Sequence, residues 1–246
     1  MRKSYGSVLA AVGLVVLVLA SGCTRVRLEK PAPISEMRSV SRGSAQRLRA
    51  RVSMGAGELV VRGGAADLLD AEFTFAPRSW RPVVEYSVSG DVGNLSVKQP
   101  SIRDASKWPF GESRNEWDVR LTDGLPLDLA VELGAGDGGL ALGTLDLRRL
   151  EVNLGAGDVT IDLTGSPAHD LSADISGGIG SLTLRVPRDV GVRVTGREDG
   201  VGTYDAPGFT ADGEAFVNDA YGESEVTFDI TLVRGVGDVR IEMSSD

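Results

Sequence analysis

The sequence predicts an all-β fold, a β-solenoid-like stack of short strands with rungs of about 21 to 23 residues. The first observation is a recurring phrase, Leu-Gly-Ala-Gly-Asp, at residues 133–137 and again at 154–158. Looser copies at 177–180 and 200–202 keep the paired glycines. The second glycines stand at positions 136, 157, 180 and 202, and this spacing of 21, 23 and 22 residues is typical of stacked structural units.

The second observation is an alternation of apolar and polar residues between the glycine pairs. It runs through residues 127–133, 150–154 and 159–163. A period of two with one apolar face indicates half-buried strands. Because one such unit cannot bury its apolar face alone, successive units must stack and share a core. Glycine, present 32 times in the chain, supplies the sharp corners between strands.

Two further copies of the glycine phrase stand apart from the regular run. Residues 55–58 follow the alternating segment 48–54 and precede the apolar residues 59–61, a pattern that predicts a hairpin-like first unit. Residues 235–238 precede the last predicted strand, 239–243. Both copies stand outside the regular spacing, and we expect strand 239–243, as the final strand of a solenoid, to expose an edge that invites pairing unless something caps it.

The start of the chain has the pattern of a secretory signal. Arg2 and Lys3 precede 13 uncharged, mostly apolar residues, 8–20, which are too few to span a bilayer. The segment ends in Leu-Ala-Ser-Gly-Cys at 19–23, which resembles the lipobox of bacterial lipoproteins. The resemblance implies that residues 1–22 are removed and that Cys23 carries the acyl chains, palmitate among them.

Cys23 is also the single cysteine, so the chain forms no intramolecular disulfide. Two or more acyl chains at one residue hold a protein on a membrane durably. We therefore predict an extracytoplasmic protein whose partner is the membrane through Cys23. Thr24 follows where many lipoproteins retained at the inner membrane carry aspartate, so the resemblance favours the outer membrane if the organism has one.

Charge is distributed unevenly along the chain. Residues 24–51 carry eight basic and two acidic side chains, whereas residues 52–246 carry 16 basic and 33 acidic ones. We expect residues 23–45 to be a flexible basic tether, either lying near anionic headgroups or serving only as a solvated linker. The acidic body excludes nucleic acid as a partner, because it offers nothing to neutralise phosphates. Two β regions are expected beyond the tether, an N-terminal one at 46–125 and a repeat region at 126–246.

Several phrases together resemble the toast-rack domain family of bacterial envelope proteins. They are Gly-Ala-Gly-Glu-Leu at 55–59, Asn-Glu-Trp at 115–117, Leu-Pro-Leu-Asp-Leu at 125–129 and the two Leu-Gly-Ala-Gly-Asp repeats. The C-terminal phrases, 182–187 and 235–241, are similar to LiaF-type cell-wall-stress regulators and to adhesin-type β-repeat proteins. The resemblance implies a stacked β fold over residues 46–246, no known catalytic activity and a role in the cell envelope. LiaF-type proteins usually carry transmembrane helices before this domain, whereas this chain carries a lipobox.

The repeated acids raise the question of a metal. Asp137 and Asp158 follow equivalent glycine corners, and stacked carboxylates offer the oxygen ligands that calcium prefers. They are weak calcium candidates, because calcium-binding β-rolls repeat every nine residues and the next unit here offers Ser181 in place of an acid. Gly-x-Gly loops cradle phosphate where they lead into a helix, and these lead into strands. We expect no metal and no cofactor.

The sequence offers few residues that could act as catalytic groups. His169 is the single histidine, in a predicted turn, and no cysteine besides Cys23 is available as a nucleophile. The serines lack the Gly-x-Ser-x-Gly context, and carboxylate pairs are common simply because the body is acidic. We therefore expect no enzyme, with a β-helix carbohydrate-active enzyme as the most distant alternative.

Aromatic residues give the remaining binding candidates. Residues 107–116 form the one long irregular stretch, and Trp108 and Phe110 within it are candidate ligand contacts. Trp117 continues an alternating strand and is expected in the core. We predict a non-catalytic, membrane-anchored envelope lipoprotein that binds another envelope protein in envelope organisation or stress response. The alternative is an adhesin-like or cell-wall glycan-binding lipoprotein.

Overall fold

Alternating apolar residues and glycine corners produce strands that are shared between two large sheets. The computed structural model describes residues 32–100, 113–197, 200–233 and 235–244, and the predicted all-β class is confirmed for them. Their nineteen strands are β1 (Ile34–Val40), β2 (Arg47–Ala56), β3 (Glu58–Arg62), β4 (Leu69–Ala76), β5 (Val83–Ser89), β6 (Val92–Lys98), β7 (Arg114–Leu121), β8 (Leu127–Ala135), β9 (Gly138–Ala141), β10 (Leu147–Ala156), β11 (Val159–Asp162), β12 (Leu171–Ser176), β13 (Leu182–Val186), β14 (Gly191–Arg197), β15 (Tyr204–Asp205), β16 (Thr210–Asp212), β17 (Ala215–Val217), β18 (Thr227–Val233) and β19 (Val239–Met243). A 3₁₀ turn spans Arg78–Trp80.

The repeating unit is an arch: one strand in the first sheet, a corner, and the next strand in the second sheet. The two sheets have the orders β16-β17-β14-β18-β12-β10-β8-β2-β6-β5 and β1-β4-β7-β3-β9-β11-β13-β19-β15. Seven arches therefore stack side by side, in the spatial order β6/β7, β2/β3, β8/β9, β10/β11, β12/β13, β18/β19 and β14/β15. Neighbouring arches pair in parallel, as expected of a solenoid-like stack.

The expectation that strand 239–243 forms the end of the stack was wrong. The arch that contains Gly235 and Gly237 inserts between the arch of 177–180 and the arch of 200–202, and the arch of Gly55 and Gly57 joins the run beside β8/β9. Strand β19 is consequently interior for part of its length, with β13 on one side and the two-residue strand β15 on the other. A glycine phrase specifies a corner, but not which arch becomes its neighbour.

The first predicted unit is an arch and not a hairpin. Strands β2 and β3 lie in different sheets, and each pairs in parallel with a strand of the next arch. Alternation has the same period in both arrangements, so it identifies the two strands without identifying their partners.

The core lies between the two sheets and is a single cluster of buried side chains that spans all seven arches. Alternate residues of each strand point inward, as in β8, where Leu127, Leu129 and Val131 are buried while the intervening residues are half-buried. At one end of the stack, Phe73 and Trp117 meet edge to face in the core with ring centroids 5.3 Å apart. The expectation that Trp117 is a core residue is confirmed, since it is 2% exposed.

The tether predicted for residues 23–45 is wrong for its C-terminal part. Residues 34–40 form β1, which pairs antiparallel with β4 over seven residue pairs. Pro31 and Pro33 both precede this strand, so no proline interrupts the pairing. Glu36 faces inward and binds Arg38 and Arg81, a charged arrangement that discourages further pairing at an edge strand.

The opposite end of the stack is closed by short strands. Strands β17 and β16 add antiparallel to β14 and are three residues each. Buried Asn218 holds this end, because its Oδ1 accepts from Val192 N and its Nδ2 donates to Val190 O, both at 2.8 Å. Short terminal strands limit the edge available for pairing with another chain.

Candidate binding surface

The corners of the arches form one continuous row, which we call the elbow edge. Each corner has a residue between two glycines, and these middle residues pair from arch to arch. In spatial order they are Ala56, Ala135, Ala156, Ile179, Val236 and Val201. Backbone hydrogen bonds join the arches at this row, as where Gly157 N donates to Ile179 O at 2.8 Å. The elbow edge is therefore rigid backbone that displays one side chain per arch.

The acids that follow the corners have a structural use. Asp158 Oδ1 accepts from the backbone N–H of Ser181 at 2.9 Å, and Asp137 Oδ1 accepts from Asp158 N at 3.3 Å. Asp238 does the same for Thr203, accepting from its N at 3.0 Å and from its Oγ1 at 2.6 Å. Each carboxylate thus caps a backbone donor of the next arch. Among the described residues, no group of three or more potential metal ligands is present.

We expect Asp158→Ala to lower the free energy of unfolding by about 1 kcal/mol, because it leaves Ser181 N without its acceptor. Asp158→Asn keeps an oxygen acceptor and should lose less. The measurement is urea unfolding followed by circular dichroism, with Asp229→Ala, an exposed acid on β18, as the control. If Asp158→Ala and Asp229→Ala lowered the free energy of unfolding equally, Asp158 would not stabilise the fold by capping Ser181 N. A higher urea concentration at the unfolding midpoint in the presence of calcium would instead indicate that these acids bind calcium.

In the arch of β6 and β7, two described polar side chains, Gln99 and Asn115, bind the neighbouring elbow. Strands β6 and β7 are joined through residues 99–113 instead of a three-residue elbow. Gln99 Oε1 accepts from Gly55 N at 2.8 Å and from Ala56 N at 3.2 Å. Asn115 Nδ2 donates to Ala56 O at 2.6 Å and to Gln99 Oε1 at 3.1 Å. Neither role is predictable from local sequence, since Gln99 and Asn115 reach the elbow only through the register of β6 with β2 and of β7 with β3.

The predicted ligand contacts and the predicted lipidation residue lie outside the described residues. Trp108 and Phe110 belong to residues 101–112, and Cys23 belongs to residues 1–31. Gln99 and Asn115, which are described, lie beside the elbow edge, because they bind Gly55 and Ala56.

His169 lies on the opposite edge of the stack, where chains pass from one arch to the next. It is exposed on the rim of an open groove with a volume of about 160 Å³. Polar groups on the rim include Asp123, Thr144 and Asp146, and Asp123 Oδ1 accepts from Thr144 Oγ1 at 2.8 Å. Asp146 is engaged with Arg148 at 3.0 Å, so these groups support each other across turns.

Ion pairs cover the outer faces of both sheets. Arg62 binds Asp118 through two hydrogen bonds, of 3.0 and 2.6 Å, and these lower the pKa of Asp118. Hydrogen bonds from Arg240 and Arg185 likewise lower the pKa of Glu242. Such exposed pairs contribute little to stability, but they keep the outer faces polar.

Net charge changes sharply along the stack. Strands β1 to β7 lie on one side of the boundary between β3 and β9, and strands β8 to β19 lie on the other. The chain up to residue 126 carries 13 basic and 12 acidic side chains from residue 31 onward, whereas residues 127–246 carry 8 basic and 22 acidic ones. We call these the neutral half and the acidic half.

Fold and surface together define a stacked β-repeat protein with a continuous elbow edge. The family model described as the N-terminal domain of toast_rack, DUF2154, matches residues 29–185, and the chain therefore belongs to the toast-rack family. This confirms the resemblance noted in the sequence.

Solved structures agree with this assignment. The chain is similar to a "putative cell adhesion protein" from Clostridium sporogenes, with a TM-score of 0.80 and 27% identity over 87% of this chain and 100% of that one. A "putative adhesin" from Bacteroides fragilis is 13% identical over 86% of this chain and 98% of that one, with a TM-score of 0.30, which is too low to support an argument. The search of curated proteins gives no match. In the part of the chain that the structure describes, no helix has the length and apolar character needed to cross a bilayer.

Proposed function

We propose that the chain is a lipid-anchored, non-catalytic protein of the cell envelope that binds another envelope protein through its stacked β surface. The observation that carries the proposal is the position of β1. The first strand lies at one end of the stack, at the edge of its sheet. A tether attached there leaves the elbow edge and both outer faces accessible along the stack.

Charge favours one orientation of the stack. Anionic headgroups repel the acidic half more strongly than the neutral half, in which β1 lies. The outer membrane remains the proposed location if the organism has one, on the evidence of Thr24.

Catalysis is not needed to explain the described surface. The elbow acids cap backbone donors, and the rim groups near His169 pair with each other. The similarity of the C-terminal phrases to LiaF-type regulators supports a role in stress response. The lipobox in place of membrane helices means that such a role would be exercised from an anchor and not from within the bilayer.

The test is cross-linking in living cells of the producing organism, followed by mass spectrometry of what the protein retains. We expect one dominant envelope protein, lost in Cys23→Ala because the unanchored chain no longer meets it. The lipid itself is checked by the mass of the N-terminal peptide. Recovery of no protein neighbour, or the same neighbours in Cys23→Ala, would contradict the proposal.

A second candidate function, adhesion to cell-wall or surface glycan, is favoured by the similarity of this chain to the cell adhesion protein of Clostridium sporogenes. In this function Trp108 and Phe110 would stack on sugar rings. The test is a glycan array and a cell-wall pull-down, in which Trp108→Ala with Phe110→Ala should lose binding. Tyr221→Ala, a partly exposed aromatic residue elsewhere, is the control and should retain it. Blank arrays with the unaltered chain would exclude this function.

A further inference from the structure

Three exposed apolar side chains form an unbroken row on the elbow edge, which we call the apolar ridge. Its members are Ile179, Val236 and Val201, with exposed fractions of 65%, 52% and 71%. Val236 lies between the other two, since each forms a parallel bridge with it. The row is created by the insertion of the C-terminal arch between two earlier ones, so it has no counterpart in the linear sequence.

The fold does not require bulk at these positions. Ala56, Ala135 and Ala156 occupy the same place in the other elbows. The hydrogen bond from the next glycine is equally good in both cases, since Gly136 N donates to Ala156 O and Gly157 N donates to Ile179 O, each at 2.8 Å. Three adjacent corners therefore expose a β-branched apolar side chain that the fold does not need, and this indicates a binding role.

The ridge belongs entirely to the acidic half. Asp158 follows the corner next to Ile179, and Asp238 follows the corner of Val236 itself. Residues 127–246 carry 22 acidic against 8 basic side chains. An apolar row set in negative charge complements a partner whose own apolar row is set in positive charge.

We propose that the apolar ridge docks a basic amphipathic helix of a partner protein, lying along the stack. Adjacent arches are about 4.8 Å apart, so the three side chains span about 10 Å. The apolar positions i, i+4 and i+7 of a helix span about 10.5 Å, a close match. The backbone donors and acceptors of these corners already bind neighbouring arches, so side chains and not strand addition make the contact. The inference deepens the proposed function by naming the chemistry of its protein partner.

Charge argues against the two other occupants of an apolar row. A second copy would bring two acidic halves together, and an anionic bilayer would repel the acidic half. Both alternatives are outcomes of the test.

The test uses the full chain reconstituted in phosphatidylcholine nanodiscs and a labelled synthetic helix of about 18 residues. The helix carries leucine at i, i+4, i+7 and i+11 with lysine beside the stripe. Two matched probes replace lysine with glutamate or leucine with serine. We expect fluorescence anisotropy to show at least tenfold tighter binding of the lysine–leucine helix than of either matched probe.

The variant Ile179→Ala/Val201→Ala/Val236→Ala should weaken that binding about tenfold, which corresponds to about 1.4 kcal/mol. Alanine already serves at three other elbows, so the variant should fold. The matched control is Val60→Ala/Val88→Ala, two exposed valines away from the ridge, and it should bind as the parent does.

Three results would overturn the inference. The first is equal affinity of the ridge variant and the parent for the lysine–leucine helix, which would mean that charge alone accounts for the binding. The second is a dimer in sedimentation that the ridge variant abolishes, and the third is ridge-dependent binding to anionic vesicles. None of these measurements depends on a cellular neighbour, and the parent, the ridge variant and the control variant all carry the same anchor, so a failure here is separable from a failure of the cross-linking experiment.

Discussion

Gly157→Ala is expected to lower the free energy of unfolding by at least about 3 kcal/mol. Gly157 has a φ of 134°, which side-chain-bearing residues adopt only under strain of about 1 to 3 kcal/mol. A Cβ at this position would also overlap the carbonyl oxygen of Gly136 in the neighbouring arch. The obstacle is backbone that is itself hydrogen-bonded, so relief requires the arches to separate. Urea unfolding followed by circular dichroism measures the loss.

The control for this prediction is Gly139→Ala. Gly139 lies on the outer face of β9, with no atom within 4 Å of an added Cβ and no positive φ. Its replacement should leave stability unchanged or raise it slightly, because alanine restricts the unfolded chain. If both variants unfolded at the same urea concentration, the close approach of neighbouring corners would not be the reason that position 157 requires glycine.

Trp117→Ala is expected to cost about 4 to 5 kcal/mol, the largest effect of a core substitution in this chain. The change removes the buried indole ring and its edge contact with Phe73. It also leaves Asn115 Oδ1 without the Nε1–H donor that now lies 2.8 Å away. Because Asn115 in turn holds Ala56 O and Gln99 Oε1, the loss extends to the end of the elbow edge.

Trp117→Phe separates the two contributions. Phenylalanine keeps most of the apolar contact and removes the donor, so we expect a loss of about 1 to 2 kcal/mol. Thermal unfolding of both variants, with amide exchange at Gly55 and Ala56, reports the packing and the network separately. Unchanged exchange at these amides in Trp117→Ala would show that the network does not depend on the ring.

The sequence alone predicts the strands and corners because their physical causes are local. Alternation places Leu127, Leu129 and Val131 on one face whatever lies opposite, and paired glycines mark each corner. The prediction that Trp117 is buried rests on the same alternation, and the structure confirms it.

Neighbour choice depends on distant parts of the chain and could not be predicted. The arch of β18 and β19 lies beside that of β12 and β13, although some fifty residues separate them in the sequence. The packing that selects this neighbour leaves no local pattern in a single sequence. The same holds for β1, whose polar composition indicated a tether because the edge of β4 that receives it was not known. The apolar ridge was missed for this reason too, since Ile179, Val236 and Val201 become neighbours only once that insertion is made.

The interleaving of the last arch has a consequence for folding during synthesis. Strand β14 pairs with β18, which is synthesised more than thirty residues later, and β19 fills the place between β13 and β15. A growing chain therefore holds β12 and β13 as open edges until β18 and β19 have been synthesised. The formation of this arch, and not the order of synthesis, closes the stack.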